Sequence, residues 1–394
     1  MSEPRLTRRG LLAGGVAAAG ALAGCSVEAS SRAESAPSAR ADTVPASAVE
    51  PFHGVHQAGI ATLPQAYAVF AGFDLRPGVD REAVARMMRL LTDDARRLTA
   101  GRPALADTEP ELAAPAARLT ITFGFGPGLF AAVKEESPVR RLPRFRTDRL
   151  EDRWSDGDLL VQICADDAMT VAHALRMITK DARAFTRVRW TQRGFRRAVH
   201  VEGPGQTQRN LMGQLDGTVQ PTDLDKAVWI SDGPGWLRGG TTLVLRRIRM
   251  ELETWDAVDR KAREFTIGRR LDNGAPLTGR HEHDAPDWDR RDDLGFPVIA
   301  DQAHIRRAHV ADPALRMLRR TYNYDEGPAA DGTADAGLLF AAYQADVDRQ
   351  FVPVQERLAE ADLLNEWVTT IGSAVFAIPP GCAEGGWIGQ TLLG

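Results

Sequence analysis

Two short stretches in the second half of the chain hold side chains that could do chemistry together. Asp216 lies between glycines in Arg209 Asn210 Leu211 Met212 Gly213 Gln214 Leu215 Asp216 Gly217 Thr218, and downstream come Ala303 His304 Ile305 Arg306 and Leu318 Arg319 Arg320. A histidine can hold a haem iron, an aspartate can carry a proton between the two oxygens of hydrogen peroxide, and an arginine can steady negative charge on the departing oxygen. Charged groups are costly to bury without a partner. An aspartate and an arginine set beside a histidine therefore point to haem-dependent peroxide chemistry.

The spacing has a known parallel. Gly213 to Gly217 forms a GxxDG pattern, and together with the His Ile Arg and Leu Arg Arg segments it resembles the dye-decolourising peroxidases, in particular the exported branch that includes haem deferrochelatase-like proteins. Further blocks resemble that family in the same order: His56 to Thr62, Phe123 Gly124 Phe125 Gly126, Asp158 to Ile163, Trp236 to Thr241 and Gln350 to Gln355. GxxDG alone is weak, because many aspartate turns satisfy it; the ordered set from about residue 50 to the C-terminus is specific.

The resemblance assigns roles to particular residues. It implies haem b as cofactor, with Asp216 and Arg319 driving cleavage of the peroxide O–O bond. The iron ligand is His304 or His309, five positions apart, and the family pattern places it at His304. His309 stands where asparagine is usual, and is read as a propionate contact, a surface residue or a competing ligand. Gly217, Thr218, Val219 and Arg306 are expected along the haem edge. Asp346 is expected to accept the second N–H of the iron-bound imidazole, or else to be a strand-end cap. Gln220, where asparagine is common, is expected to matter little. An aspartate of ordinary pKa, about 4, is a poor proton donor at neutral pH, so activity should be best in acid. His281 Glu282 His283 offers too few ligands for zinc.

The implied activity is oxidation of dyes, phenols or similar reductants by hydrogen peroxide. An alternative is a haem deferrochelatase, or a haem-binding lipoprotein serving iron or copper handling.

Elements to position these groups follow from periodicity. In the first half, strands are expected at 66–73, 118–123, 158–165 and 188–192, with helices at 81–98 and from 169 to at least 179. In the second half, strands are expected at 241–248 and 337–344, with helices at 252–265 and 354–360 around a haem-binding insert. This reads as an α+β, duplicated ferredoxin-like fold: two antiparallel-sheet domains, 48–205 and 206–394, with haem in the second.

The N-terminus reads as an export signal. Thr7 Arg8 Arg9 Gly10 Leu11 Leu12 is a twin-arginine start, addressed to the twin-arginine export machinery, and the apolar stretch to Gly24 is too short for a stable bilayer span. Leu22 Ala23 Gly24 Cys25 resembles a lipobox, which would tie the protein to a membrane through a lipidated Cys25. Residues 26–47 are rich in small and polar types, as a flexible tether is. The destination implied is extracellular or the cell envelope. Residues 1–24 carry three arginines and one glutamate, so their removal leaves 46 basic and 52 acidic residues, net −6. Such a balance gives no electrostatic case for nucleic acid. Cys164 and Cys382 do not define a disulfide scaffold.

Overall fold

The computed structural model describes residues 45–394 apart from 199–200, 202–205 and 331. The export signal, Cys25 and nearly all of the tether lie outside the described residues. In chain order the elements of the first half are β1 (Tyr67–Leu75), α1 (Arg81–Thr99), β2 (Thr120–Phe125), α2 (Pro127–Val133), β3 (Leu159–Ala165), α3 (Ala168–Ala182) and β4 (Thr186–Phe195). The second half contributes α4 (Leu224–Ala227), β5 (Thr241–Met250), α5 (Leu252–Asp256), α6 (Arg260–Ile267), α7 (His304–Arg307), β6 (Leu318–Arg319), β7 (Tyr322–Pro328), β8 (Ala334–Gln344), α8 (Val352–Ala361), β9 (Val368–Ile378) and α9 (Gln390–Leu393).

Local chemistry explains where helices begin and stop. Asp80 caps α1 by accepting from the Ala83 N–H, and Arg96 and Arg97 occupy its last turn, where cations suit the helix dipole. The helix expected over 252–265 is two helices. Asp259 accepts from the N–H groups of Lys261 and Ala262 and so starts α6 afresh, while Gly268 ends it in the left-handed region at φ 88°.

The expectation of a duplicated ferredoxin-like fold with two antiparallel-sheet domains is corrected by the sheet. Eight strands, ordered β5-β9-β2-β3-β1-β4-β7-β8, close on themselves through a β5–β8 pairing, with β6 added along β8; every pairing is antiparallel. The halves meet at two narrow seams, Phe125 opposite Ala377 and Phe195 opposite Asn323. Two separate sheets would leave rows of unpaired backbone groups at four edges. Joining them into one barrel removes most of that liability.

Closure also fills the interior with residues from both halves. Phe70, Leu160, Cys164 and Trp190 pack inside the barrel with Leu243, Tyr322, Tyr343 and Phe376. The alternate positions Val69, Ala71 and Phe73 face outward, under Met87 and Leu91 of α1 and Ile178 of α3. Strands β7 and β9, which complete the ring, carry no clear alternation in the sequence.

Two buried carboxyl groups make measurable statements about the fold. Arg246 and Asp148 are paired with side chains only 1% and 0% exposed, and Arg246 also donates to Ser373 Oγ at 3.1 Å. Asp148→Ala leaves the guanidinium buried without its counter-charge, which should cost about 3–5 kcal/mol in urea unfolding. A loss below about 1 kcal/mol would mean that the pair is effectively solvated.

Asp94 of α1 is buried, with Oδ1 accepting from the Leu105 N–H at 2.9 Å. Burial, reinforced by the neighbouring Asp181 carboxylate, pushes its pKa up to about 7. The folded protein therefore holds this proton more tightly than the unfolded chain does, and the stability it contributes falls as pH rises from about 4 to 7. Asp94→Asn should remove that slope, so its Tm relative to wild type should climb between pH 5 and 8. A constant Tm difference across that range would refute the assignment.

Candidate functional site

Asp216 is held by a tight loop. Its backbone N–H donates to Gln208 O at 2.8 Å, Arg209 and Leu215 form a β-bridge, and Asn210 N–H donates to Gln214 O at 2.9 Å. Arg209 donates from Nη1 to the carbonyls of Gly213 and Leu271, both at 2.7 Å, and from Nη2 to that of Asp272 at 2.6 Å. The loop is thereby tied to the turn around residues 269–276. A side chain at Gly274 would run into Leu215, 2.3 Å from its Cβ position. Gly217 turns the chain away from Asp216 at φ 130°, a conformation that favours glycine.

Arg319, on β6, brings its Nη1 to 3.1 Å from Asp216 Oδ1, with side chains 25% and 11% exposed. Its Nη2 donates to Val219 O at 3.3 Å. The pair is half-sheltered, which strengthens it without removing access for a small polar substrate.

His304 opens α7. Its Nδ1 lies 2.6 Å from Asp362 Oδ2; the carboxylate is 3% exposed and the imidazole 33%. Asp362 ends α8, and its Oδ1 accepts from the Leu364 N–H at 2.9 Å, so both oxygens are committed. Burial disfavours a charged His304 ring, but the attraction and hydrogen bond of Asp362 outweigh it and raise the imidazole above its ordinary range. Arg319 and Asp216 both act electrostatically on the same ring. Residues 216, 304, 319 and 362 thus converge in one region, and all lie in the second half of the chain.

Of the two roles expected for Asp346, the structure shows the cap. Instead of meeting the imidazole, Asp346 caps the turn leading into α8 by accepting from the Arg349 N–H at 3.0 Å. Arg306 donates from Nη1 to Trp288 O at 2.7 Å and pairs through Nη2 with Asp301 at 3.1 Å, bracing the segment before α7. His309 is exposed beyond α7, its ring 5.0 Å from that of Trp288. Burial, Arg316 and Arg357 hold its imidazole below its usual range. Val219 is half-exposed, and Thr218 Oγ1 donates to Glu282 Oε1 at 2.8 Å.

Sequence reasoning missed Asp362, Gln220, Arg269 and Glu282. Arg269 donates from Nη1 to the carbonyls of Gly274 at 2.6 Å and Glu282 at 2.8 Å, closing the loop that carries Glu282 against Thr218. For Glu282 the signal available was the run His281 Glu282 His283, which the sequence offered only as a weak zinc site. Among the described residues no group of His, Cys, Asp and Glu is arranged to hold a bare metal ion. One imidazole, its Nδ1 occupied by a carboxylate and its Nε2 left to bind, suits an iron whose remaining nitrogen ligands a porphyrin would supply. The residues therefore fit haem.

Comparison with known proteins agrees. The model for "Dyp-type peroxidase, N-terminal" matches residues 57–196, and that for "Dyp-type peroxidase, C-terminal" matches 207–383. A dye-decolorizing peroxidase of Thermobifida fusca is 40% identical, the match covering 86% of this chain and 83% of the relative. A deferrochelatase of Escherichia coli K12 is 34% identical, over 100% and 98%. The crystal structure of a DyP-type peroxidase from Cellulomonas bogoriensis superposes with a TM-score of 0.86 at 52% identity, covering 89% of this chain and 99% of that one. With both halves matched, the site assembled and close relatives spanning nearly the whole chain, this protein belongs to the Dyp-type peroxidase family.

Proposed function

We propose that this haem-dependent peroxidase uses Asp216 and Arg319 to activate hydrogen peroxide and His304 to hold the iron. The observation that carries the reading is the 3.1 Å Arg319–Asp216 pair acting on the same ring that Asp362 buttresses. Haem, held by His304, would supply the two electrons needed to cleave the O–O bond and the oxidising power to act on an organic reductant such as a dye or phenol. Asp216 takes the proton from one peroxide oxygen and returns it to the other, which departs as water. Arg319 offsets the negative charge that grows on the departing oxygen and, paired with Asp216 at 3.1 Å, holds that carboxylate in place. Asp362 fixes the ring orientation of His304 and strengthens it as a donor.

The test is stopped-flow absorption of the haem-loaded protein with one equivalent of hydrogen peroxide, followed by addition of a phenol or dye. A fast change in the haem spectrum, reversed by the reductant, supports the reading; an unchanged spectrum refutes it.

A second reading draws on the relatives named deferrochelatase, at 34–36% identity: removal of iron from haem with the porphyrin left intact. Free iron and porphyrin fluorescence released without peroxide would favour it. For location, the twin-arginine start at Arg8 and Arg9 and the lipobox ending at Cys25 support export and a lipid anchor. Mass spectrometry of the mature protein from the membrane fraction should find a diacylated Cys25 at its N-terminus. An unmodified cysteine would reject the anchor.

A further inference from the structure

We infer that Gln220 is a positioning residue for Arg319. The inference deepens the proposed role of Arg319 in peroxide activation and rests on it. β6 is only two residues long and lies at the end of the strand order, paired on one side to β8. Its neighbour Arg320 turns its N–H towards β8, donating to Ala341 O at 2.8 Å. The backbone groups of Arg319 therefore point the other way, to the side where no strand runs among the described residues.

Gln220 occupies that side. Its Oε1 accepts from the Arg319 N–H at 2.9 Å, and its Nε2 donates to the Arg319 carbonyl at 2.9 Å. One side-chain amide thus supplies both hydrogen bonds that an adjoining strand would have given. The chain just before it grips the other end of the same arginine, with Val219 O and Asp216 Oδ1 on the guanidinium. Asp216, Val219 and Gln220 together hold Arg319 by head and backbone at once, which sets the guanidinium against Asp216. The task needs a group that both donates and accepts. Glutamate of the same length keeps only the acceptor when ionised, leucine keeps neither, and asparagine is shorter by one methylene.

The test compares Gln220→Leu, Gln220→Glu and Gln220→Asn with wild type and with Arg319→Ala. In the haem-free protein, hydrogen exchange at the Arg319 amide should speed up by about 10-fold or more in Gln220→Leu, because the N–H loses its acceptor, and change little in Gln220→Glu. In the haem-loaded protein, the second-order rate constant with hydrogen peroxide should fall about 10- to 100-fold in Gln220→Leu and Gln220→Glu, as expected for a displaced catalytic group. KM for the reductant should stay constant. Affinity for fluoride, an anion that the guanidinium can hydrogen-bond, should fall in parallel. Recovery of rate and fluoride affinity in Gln220→Asn would identify the amide function as what matters. Wild-type exchange and rate in Gln220→Leu, with Arg319→Ala slow, would overturn the inference while leaving the role of Arg319 intact. Fast peroxide reaction in Arg319→Ala would instead remove the reading on which it rests. Should Gln220→Leu fail to fold, the isosteric Gln220→Glu decides alone through its peroxide rate.

Discussion

His304→Ala is expected to abolish stable haem retention, with the Soret band lost on gel filtration. His304 is the ring whose Nδ1 is engaged by a buried carboxylate, 2.6 Å away, leaving its second nitrogen to bind metal. His309 stands beside Trp288, where partial burial of the ring and then Arg316 and Arg357 lower its affinity for a proton. A normal Soret band in His304→Ala would move the ligand to His309. Asp362→Asn should act in the same direction but less, weakening haem affinity about 10- to 100-fold, as loss of a hydrogen-bond partner behind a metal ligand typically does. Asp346→Asn should leave haem affinity unchanged, because that carboxylate caps a helical turn.

The second large effect is on the peroxide step. Arg319→Ala and Asp216→Ala should each slow the haem spectral change with hydrogen peroxide by at least about 100-fold, the scale of lost charge stabilisation or of a lost acid–base group. Their order is informative. If stabilisation of the departing oxygen dominates, Arg319→Ala is the slower; if proton transfer limits, Asp216→Ala is. Because the two side chains pair at 3.1 Å, the losses should not add, and the double variant should fall well short of the product of the single effects. Wild-type rates in both single variants would remove these residues from the mechanism.

The two groups of predictions rest on differently legible features. Asp216, His304 and Arg319 could be named from residue type and order, since each stands in a short segment with family neighbours around it. Asp362 could not. It lies 58 residues after His304, in a run that reads locally as an ordinary helix end, and a carboxylate at a helix boundary is far more often a cap. Asp346 attracted the role by resemblance and turned out to do that ordinary capping work. Gln220 was passed over for a related reason: a side chain that completes a two-residue edge strand leaves no periodic trace.

By itself the sequence determined most strands and helices of the first half, because a strand buried on both faces and a helix with one apolar stripe write their periods into consecutive residues. It also determined the chemistry on offer, since side-chain type is local information. Tertiary structure alone decided that the two halves share one closed barrel, because closure depends on single residue pairs, Phe125 with Ala377 and Phe195 with Asn323, brought together from distant parts of the chain. It also decided which carboxylate meets His304 and which amide holds Arg319. A hydrogen bond is made over less than 3 Å of space, and no pattern in neighbouring residues records which distant group will arrive there.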